Sequence, residues 1–173
     1  MENKKTFLIW ITGLAGSGKT TIGKEVYNKL KKQYNNTFFL DGDTFREIFG
    51  GNLGYNLKSR FETALKISNF CKALVDQDIN VVCSTISLFK EIHKKNRTDF
   101  KNYFEIFLDV DFEELKIRDQ KSIYSKALAG EINNVIGVDL PYDIPEKPSL
   151  VINNNNKDKL DEKVSKILNL VKF

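Results

Sequence analysis

The sequence predicts an α/β fold of three layers, a mostly parallel sheet with helices on both faces. Three observations carry that prediction. Short apolar runs recur along the chain, longer segments with apolar residues three or four apart separate them, and a glycine-rich stretch joins the first run to the first such segment. The runs cover residues 6–12 (TFLIWIT), 37–40 (TFFL), 79–85 (INVVCST), 103–108 (YFEIFL) and 149–152 (SLVI). They are apolar at nearly every position, as strands covered on both faces are.

The first run leads into GLAGSGKTT, residues 13–21, and then into the helix-like KTTIGKEVYNKLKKQY. The spacing is G-x-x-x-x-G-K-[ST], with Gly13, Gly18, Lys19 and Thr20 in the fixed places and Gly16, Ser17 and Thr21 between and beside them. Backbone N–H groups at such a turn cradle phosphate oxygens, Lys19 reaches the β- and γ-phosphates, and the Thr20 hydroxyl suits Mg²⁺. Strand, loop and helix together predict a P-loop nucleoside triphosphate hydrolase fold that binds ATP.

The second run ends in DGD. Phosphoryl transfer needs a carboxylate near Mg²⁺ or the attacking hydroxyl, so Asp41 and Asp43 are candidates, and Asp109 after the fourth run is another. Asp43 has an alternative use as the N-cap of a helix in TFREIFG. Asp41 has none, which favours it for catalysis. Arg46, one turn further on, offers a fixed fork for an anionic substrate. The third run ends in Ser84 and Thr85 and supplies no carboxylate.

Between the second and third runs, Phe61, Ala64, Ile67, Cys71 and Leu74 mark one face of a helix over 59–77. At the end of the chain Leu160, Val164, Ile167, Leu168 and Val171 mark another. Residues 119–148 break the rhythm. They are polar, hold all three prolines of the chain and carry no long amphipathic stripe. With Arg118, Lys121 and Lys126 they read as a lid over the active site.

At 173 residues the chain is expected to form a single domain, 1–173. Its net charge of +4 is spread along the chain and makes no case for nucleic acid. No apolar stretch approaches the ~20 residues of a membrane helix. The short N-terminus leaves no room for a signal peptide, so the expected location is cytoplasmic. Cys71 and Cys83 lie in apolar stretches and read as buried thiols rather than a disulfide or a metal site. His93, in the lysine-rich KEIHKKNR, reads as a solvated residue with too few neighbouring ligands for zinc.

GLAGSGKTT, LDGD with Arg46, GY with Arg60, IS at 86–87, RDQKSIYSKALAGEI and GVDLPYDIP fall in the order and spacing of the adenylylsulfate kinases. The resemblance runs nearly end to end. It implies ATP and Mg²⁺ as cofactors and transfer to the 3′-hydroxyl of a small nucleotide acceptor, and it also allows a homodimer. It places Asp41 and Asp43 near that hydroxyl and Mg²⁺, and Arg46 and Arg60 on the acceptor's anionic groups. Lys121 and Tyr124 fall on the lid close to both nucleotides, and Arg118 falls on the ATP side. Ile86 and Ser87 match the family's "ISP" motif, although Leu88 replaces its proline.

The departures from the family pattern are expected on the acceptor side. Thr63 and Leu65 stand where asparagine and arginine belong, and Thr44 replaces an asparagine after DGD. The family sandwiches the acceptor's adenine between two aromatic rings. Tyr55 supplies one, but Val135 replaces the other. A pocket altered in this way is similar to that of the cytidine diphosphoramidate kinases, and a pyrimidine acceptor is expected. Adenylylsulfate is the alternative. A non-catalytic nucleotide-binding module is the reading of another class, and the presence of Lys19 and both DGD carboxylates speaks against it.

Overall fold

Five apolar runs become five parallel strands: β1 (Leu8–Thr12), β2 (Thr37–Asp41), β3 (Asn80–Ser84), β4 (Tyr103–Asp109) and β5 (Leu150–Asn153). The structure is a computed structural model and describes residues 6–50 and 53–171. The sheet order is β2-β3-β1-β4-β5. Every position of β1 and β3 is buried, whereas the edge strands β2 and β5 are only partly buried, because only inner strands are covered on both faces.

Among the described residues seven α-helices accompany the sheet: α1 (Lys19–Gln33), α2 (Gly42–Ile48), α3 (Leu57–Val75), α4 (Lys90–Asp99), α5 (Phe112–Arg118), α6 (Ile123–Leu128) and α7 (Leu160–Leu170). Alternation along β1 sorts the core. Ile9 and Ile11 pack with Ile22 and Val26 of α1 and Val164 and Ile167 of α7. Leu8 and Trp10 pack on the opposite face with Phe45 of α2, Ala64 and Ile67 of α3 and Ile92 of α4. Cys71 and Cys83 are free thiols buried in that second layer, as expected.

The sequence reading missed α4 and α5. Helix α4 turns Ile92, His93 and Asn96 inward, so two of these three core positions are polar and no apolar period shows. His93 is therefore buried, 1% exposed, and not solvated as expected. The segment 119–148 is likewise less polar in effect than in composition. Tyr124, Val135 and Ile136 are buried with Leu14, Leu88, Phe107 and Leu115 in a third cluster that docks the segment on the sheet's edge.

The register aligns the carboxyl ends of the strands: Asp41 pairs with Ser84, Ile11 with Ser84 and Asp109 with Asn153. From β1 the chain builds first toward β2 and then back past β1 to β4. The P-loop therefore leaves the sheet at its topological switch point, where open α/β sheets bind ligands. Among the described residues no helix is long and apolar enough to cross a membrane. Residues 1–5, on which the expectation about a signal peptide rests, lie outside the described residues.

Candidate active site

Four consecutive P-loop carbonyls each accept a hydrogen bond from a side chain. Leu14 O accepts from Lys19 Nζ at 2.7 Å, Ala15 O from the Tyr124 hydroxyl at 2.8 Å, Gly16 O from Arg118 Nη1 at 3.2 Å and Ser17 O from Asn154 Nδ2 at 2.7 Å. In a trans peptide the N–H points opposite to the C=O, so tying these carbonyls leaves the loop's N–H groups for an anion, apart from that of Ser17, which donates to Leu14 O at 3.2 Å. Gly18, with φ of 95°, caps α1, and a Cβ there would stand 2.7 Å from Asn154 Nδ2. Gly13 is as constrained, since a Cβ would lie 2.7 Å from Leu108 O on β4.

This arrangement changes the expected role of Tyr124 and adds a second one to Arg118. Tyr124 is 1% exposed and reaches Ala15 from beneath the loop, against the edge of Phe112, so it does not face either nucleotide directly. Arg118 spends its guanidinium on Glu114 and on the carbonyls of Gly16, Asn154 and Asn155. It also lines a cavity of about 300 Å³ together with the P-loop residues Gly16, Gly18 and Thr21 and with Lys157. Asn154 was missed by sequence reading. It is buried, and Lys163 of α7 holds its Oδ1 at 2.7 Å. The only trace was the asparagine run after the last strand.

Above the loop lie two adjoining cavities of about 540 and 490 Å³. Lys19, Thr20, Thr21 and Asp41 line the first, and Arg46, Tyr55, Arg60 and Val135 the second. Gly42, Asp43, Thr85, Ile86 and Lys121 belong to both walls, and this shared edge is where two ligands would meet.

The two aspartates divide differently from the sequence expectation. Asp41, not Asp43, is the N-cap of α2, accepting from Asp43 N at 2.9 Å. The helix starts two residues earlier than TFREIFG suggested, because Gly42 and Asp43 join it. The other oxygen of Asp41 accepts from the Thr20 hydroxyl at 2.7 Å. A hydroxyl and a carboxylate so close, both hard oxygen donors, fit Mg²⁺. Asp43 instead pairs with Lys121 at 2.7 Å across the shared edge. Burial lowers the Lys19 ammonium to about 8, with Asp41 and Asp43 opposing the shift. A cation so desolvated gains most when a phosphate arrives.

On the second cavity's rim, the Arg46 and Arg60 guanidiniums lie 4.6 and 5.2 Å from the centre of the Tyr55 ring, which is exposed. Arg46 donates to Gly54 O at 2.8 Å. Arg60 donates to Tyr55 O and to Asn134 O, both at 2.7 Å, and so ties α3 to the lid segment. Asp139 accepts from the N–H groups of Asn134 and Val135, which holds its carboxyl below the usual range and closes the turn that presents Val135. The inner wall is apolar, with Ile67, Phe89, Ile132 and Ile136. Ser87 is buried there beside Thr85.

Of the departures, Thr63 and Val135 line this cavity, and the Thr63 hydroxyl is turned back to Ser59 O at 2.8 Å. Thr44 lines the P-loop cavity instead, and Leu65 packs on the core and lines neither. The departures are therefore not confined to one side, because positions spaced along a helix or a capping turn do not all face one cavity.

The sequence model described as adenylylsulphate kinase matches residues 5–153. The chain belongs to the adenylylsulphate kinase family. Within that family it is 51% identical to a cytidine diphosphoramidate kinase of Campylobacter jejuni over 162 residues, 94% of each chain. It is 39% identical to an adenylyl-sulfate kinase of Clostridium kluyveri, over 95% of this chain and 82% of that one. The solved structure of the Mycobacterium tuberculosis APS kinase CysC in complex with AMPPNP and APS superposes with a TM-score of 0.87 at 30% identity, covering 96% of this chain and 98% of that one. These two relatives and this solved neighbour are kinases, and the fold is theirs.

Proposed function

We propose that this family member transfers the γ-phosphate of ATP to the ribose 3′-hydroxyl of cytidine diphosphoramidate, in the cytoplasm. The observation that carries the reading is the pair of cavities meeting at Asp43 and Lys121 above a P-loop with four successive carbonyls held by side chains. A structural relative holds an ATP analogue and a nucleotide acceptor together. The 51% identity to a cytidine diphosphoramidate kinase, set against 39% to an adenylyl-sulfate kinase, supports the cytidine acceptor.

In this reading the loop's N–H groups and Lys19 hold the β- and γ-phosphates. Thr20 and Asp41 would hold Mg²⁺, which supplies charge neutralisation on the phosphates. Asp43 faces both cavities and takes the proton as the ribose oxygen bonds to the γ-phosphorus. The bond from that phosphorus to the bridging oxygen breaks, and ADP leaves. Lys121 exchanges Asp43 for phosphate when the nucleotides are bound, and residues 119–148 act as the lid. Arg46 and Arg60 face the acceptor's diphosphate. Exposed Ile48 and Phe49 at the end of α2 suit a homodimer, which light scattering tests.

Adenylylsulfate as acceptor is the second reading. It is favoured by the family match and by the ring of Phe89 in the cavity wall. The two readings separate on kcat/KM measured side by side. An aromatic face is worth ~1–3 kcal/mol per stacked base, so replacing one with Val135 predicts that the cytidine acceptor leads by about ten- to a hundredfold. Equal or better turnover of adenylylsulfate overturns the cytidine reading. No turnover of either acceptor points to a non-catalytic nucleotide-binding module.

A further inference from the structure

Three consecutive carbonyls turn the chain from β3 toward α4, and each is held by a different element. Ile86 O accepts from the Thr12 hydroxyl at the end of β1. Leu88 O accepts from the N–H of Asp143, in the lid segment, at 3.0 Å. Between them, Ser87 O lies 3.0 Å from His93 Nε2. The partner is a carbonyl, so Nε2 carries the hydrogen and donates. Burial, the dominant effect on the ring, disfavours its protonated form, so the donor is a neutral imidazole of fixed tautomer.

The far side of the ring is confined as well. Nδ1 lies 3.8 Å from Glu105 Oε1, beyond hydrogen-bond range. Glu105 is buried on β4 and is fixed by Arg97 at 2.7 Å and by the Tyr103 hydroxyl at 3.1 Å. His93 is thus wedged between a fixed carboxylate and one backbone carbonyl.

That carbonyl belongs to a strained residue. Ser87 has φ of 22°, in the left-handed region, without being glycine. Such a conformation persists where its surroundings over-determine it, and it concentrates at functional sites. Here it brings Ser87 Oγ to 2.8 Å from Thr85 Oγ1. Both residues line the acceptor-side cavity, and Thr85 lines the P-loop cavity too. The pair stands against the start of α2, since a Cβ on Gly42 would lie 3.2 Å from Thr85 Oγ1, one residue from Asp43. Two hydroxyls that share one bond retain one further hydrogen to donate.

We propose that His93 is a positioning residue for the acceptor nucleotide. By holding the Ser87 carbonyl it keeps the Thr85 and Ser87 hydroxyls where an oxygen of the acceptor's sugar or phosphate binds, beside Asp43. The inference rests on the kinase reading above but not on its choice of base. Without the Nε2–H, the buried carbonyl has no donor and the left-handed turn loses what fixes it. The hydroxyl pair then drifts, and sub-ångström drift at a reacting centre is enough to be felt. The P-loop carbonyls are tied by Lys19, Tyr124, Arg118 and Asn154, none of them bonded to His93, so the donor side is untouched.

The test compares three variants with both acceptors, cytidine diphosphoramidate and adenylylsulfate. In His93→Gln the amide nitrogen reaches the place of Nε2, in His93→Asn it reaches only that of Nδ1, and His93→Leu keeps bulk alone. For the acceptor the wild type uses, His93→Gln is expected to keep KM within about threefold, while His93→Asn and His93→Leu raise it about tenfold or more, with the KM for ATP and the affinity for ADP unchanged. Should His93→Leu fail to fold, the Gln and Asn variants carry the comparison. An unchanged acceptor KM in His93→Asn, a parallel rise for acceptor and ATP, or no rescue by Gln overturns the proposal. A wrong choice of base alters only the wild-type ratio between the two acceptors and leaves the variant comparison standing.

Discussion

On the P-loop side, four successive carbonyls are tied back by donors from α1, α6, α5 and the end of β5, and the loop is set before any nucleotide arrives. On the acceptor side, the cavity is assembled from α2, α3, the turn after β3 and the lid segment, with polar ties that run between elements. Arg60 reaches Asn134, Lys121 reaches Asp43 and His93 reaches Ser87. The difference teaches where specificity can change. A preorganised anion site gives no freedom to vary, whereas a cavity assembled from four elements accepts Val135 or Thr63 without disturbing the donor.

The comparison breaks hardest at Lys19. Lys19→Ala is expected to lower kcat by about a thousandfold, the scale of a lost preorganised donor or cation at developing charge. The melting temperature should fall by no more than a few degrees, because the lost Nζ bond is one of several that hold the loop. Near-normal turnover would remove the kinase reading, and a collapse in stability would show that Lys19 builds the loop rather than the chemistry.

A smaller effect separates the two aspartates. Asp43→Asn removes the proposed base from the edge common to both cavities, and kcat should fall about a hundredfold with ADP affinity unchanged. Asp41→Asn keeps the α2 cap, since asparagine caps about as well as aspartate, so stability should hold. Its loss should appear as a raised Mg²⁺ requirement, measured by titrating Mg²⁺ at fixed ATP. If Asp41→Asn impairs kcat at saturating Mg²⁺ and Asp43→Asn does not, the roles are reversed.

The same contrast explains what the sequence made legible. The P-loop, the five strands and helices α1, α3 and α7 are local patterns, readable from glycine spacing and apolar period. The cap of α2 was misread because two extra residues of helix, Gly42 and Asp43, leave Asp41 rather than Asp43 outside it. His93 and Asn154 escaped for a different reason. Each is a polar residue whose partner lies on another element, Ser87 for one and Ser17 for the other, 137 residues away in the second case. Their meaning depends on the packing of α4 and on β5 lying beside β4, and no neighbouring residue announces it. Arg118 and Tyr124 were found as functional positions, but only the fold shows that they act on the loop's carbonyls.

The smallest expected effect sharpens the donor side further, through pH. Lys19 in the free protein is lowered to about 8 against an ordinary 10.5, with burial as the main cause. Between those values the unfolded chain holds the proton and the free fold does not, so this group makes the free protein more stable as pH rises through that window. Bound phosphate reverses the balance, because negative charge beside the ammonium favours its protonated form. ADP should therefore bind without proton uptake near pH 7, where Lys19 is already charged, and with uptake approaching one proton near pH 9. Its affinity should fall by at most about tenfold per pH unit above 8. Calorimetric titration in two buffers of different ionisation enthalpy measures the uptake directly, with Lys19→Ala as the control that should show none. Uptake absent at pH 9 would mean that Lys19 is already charged in the free loop, and the donor site would then be less desolvated than its geometry implies.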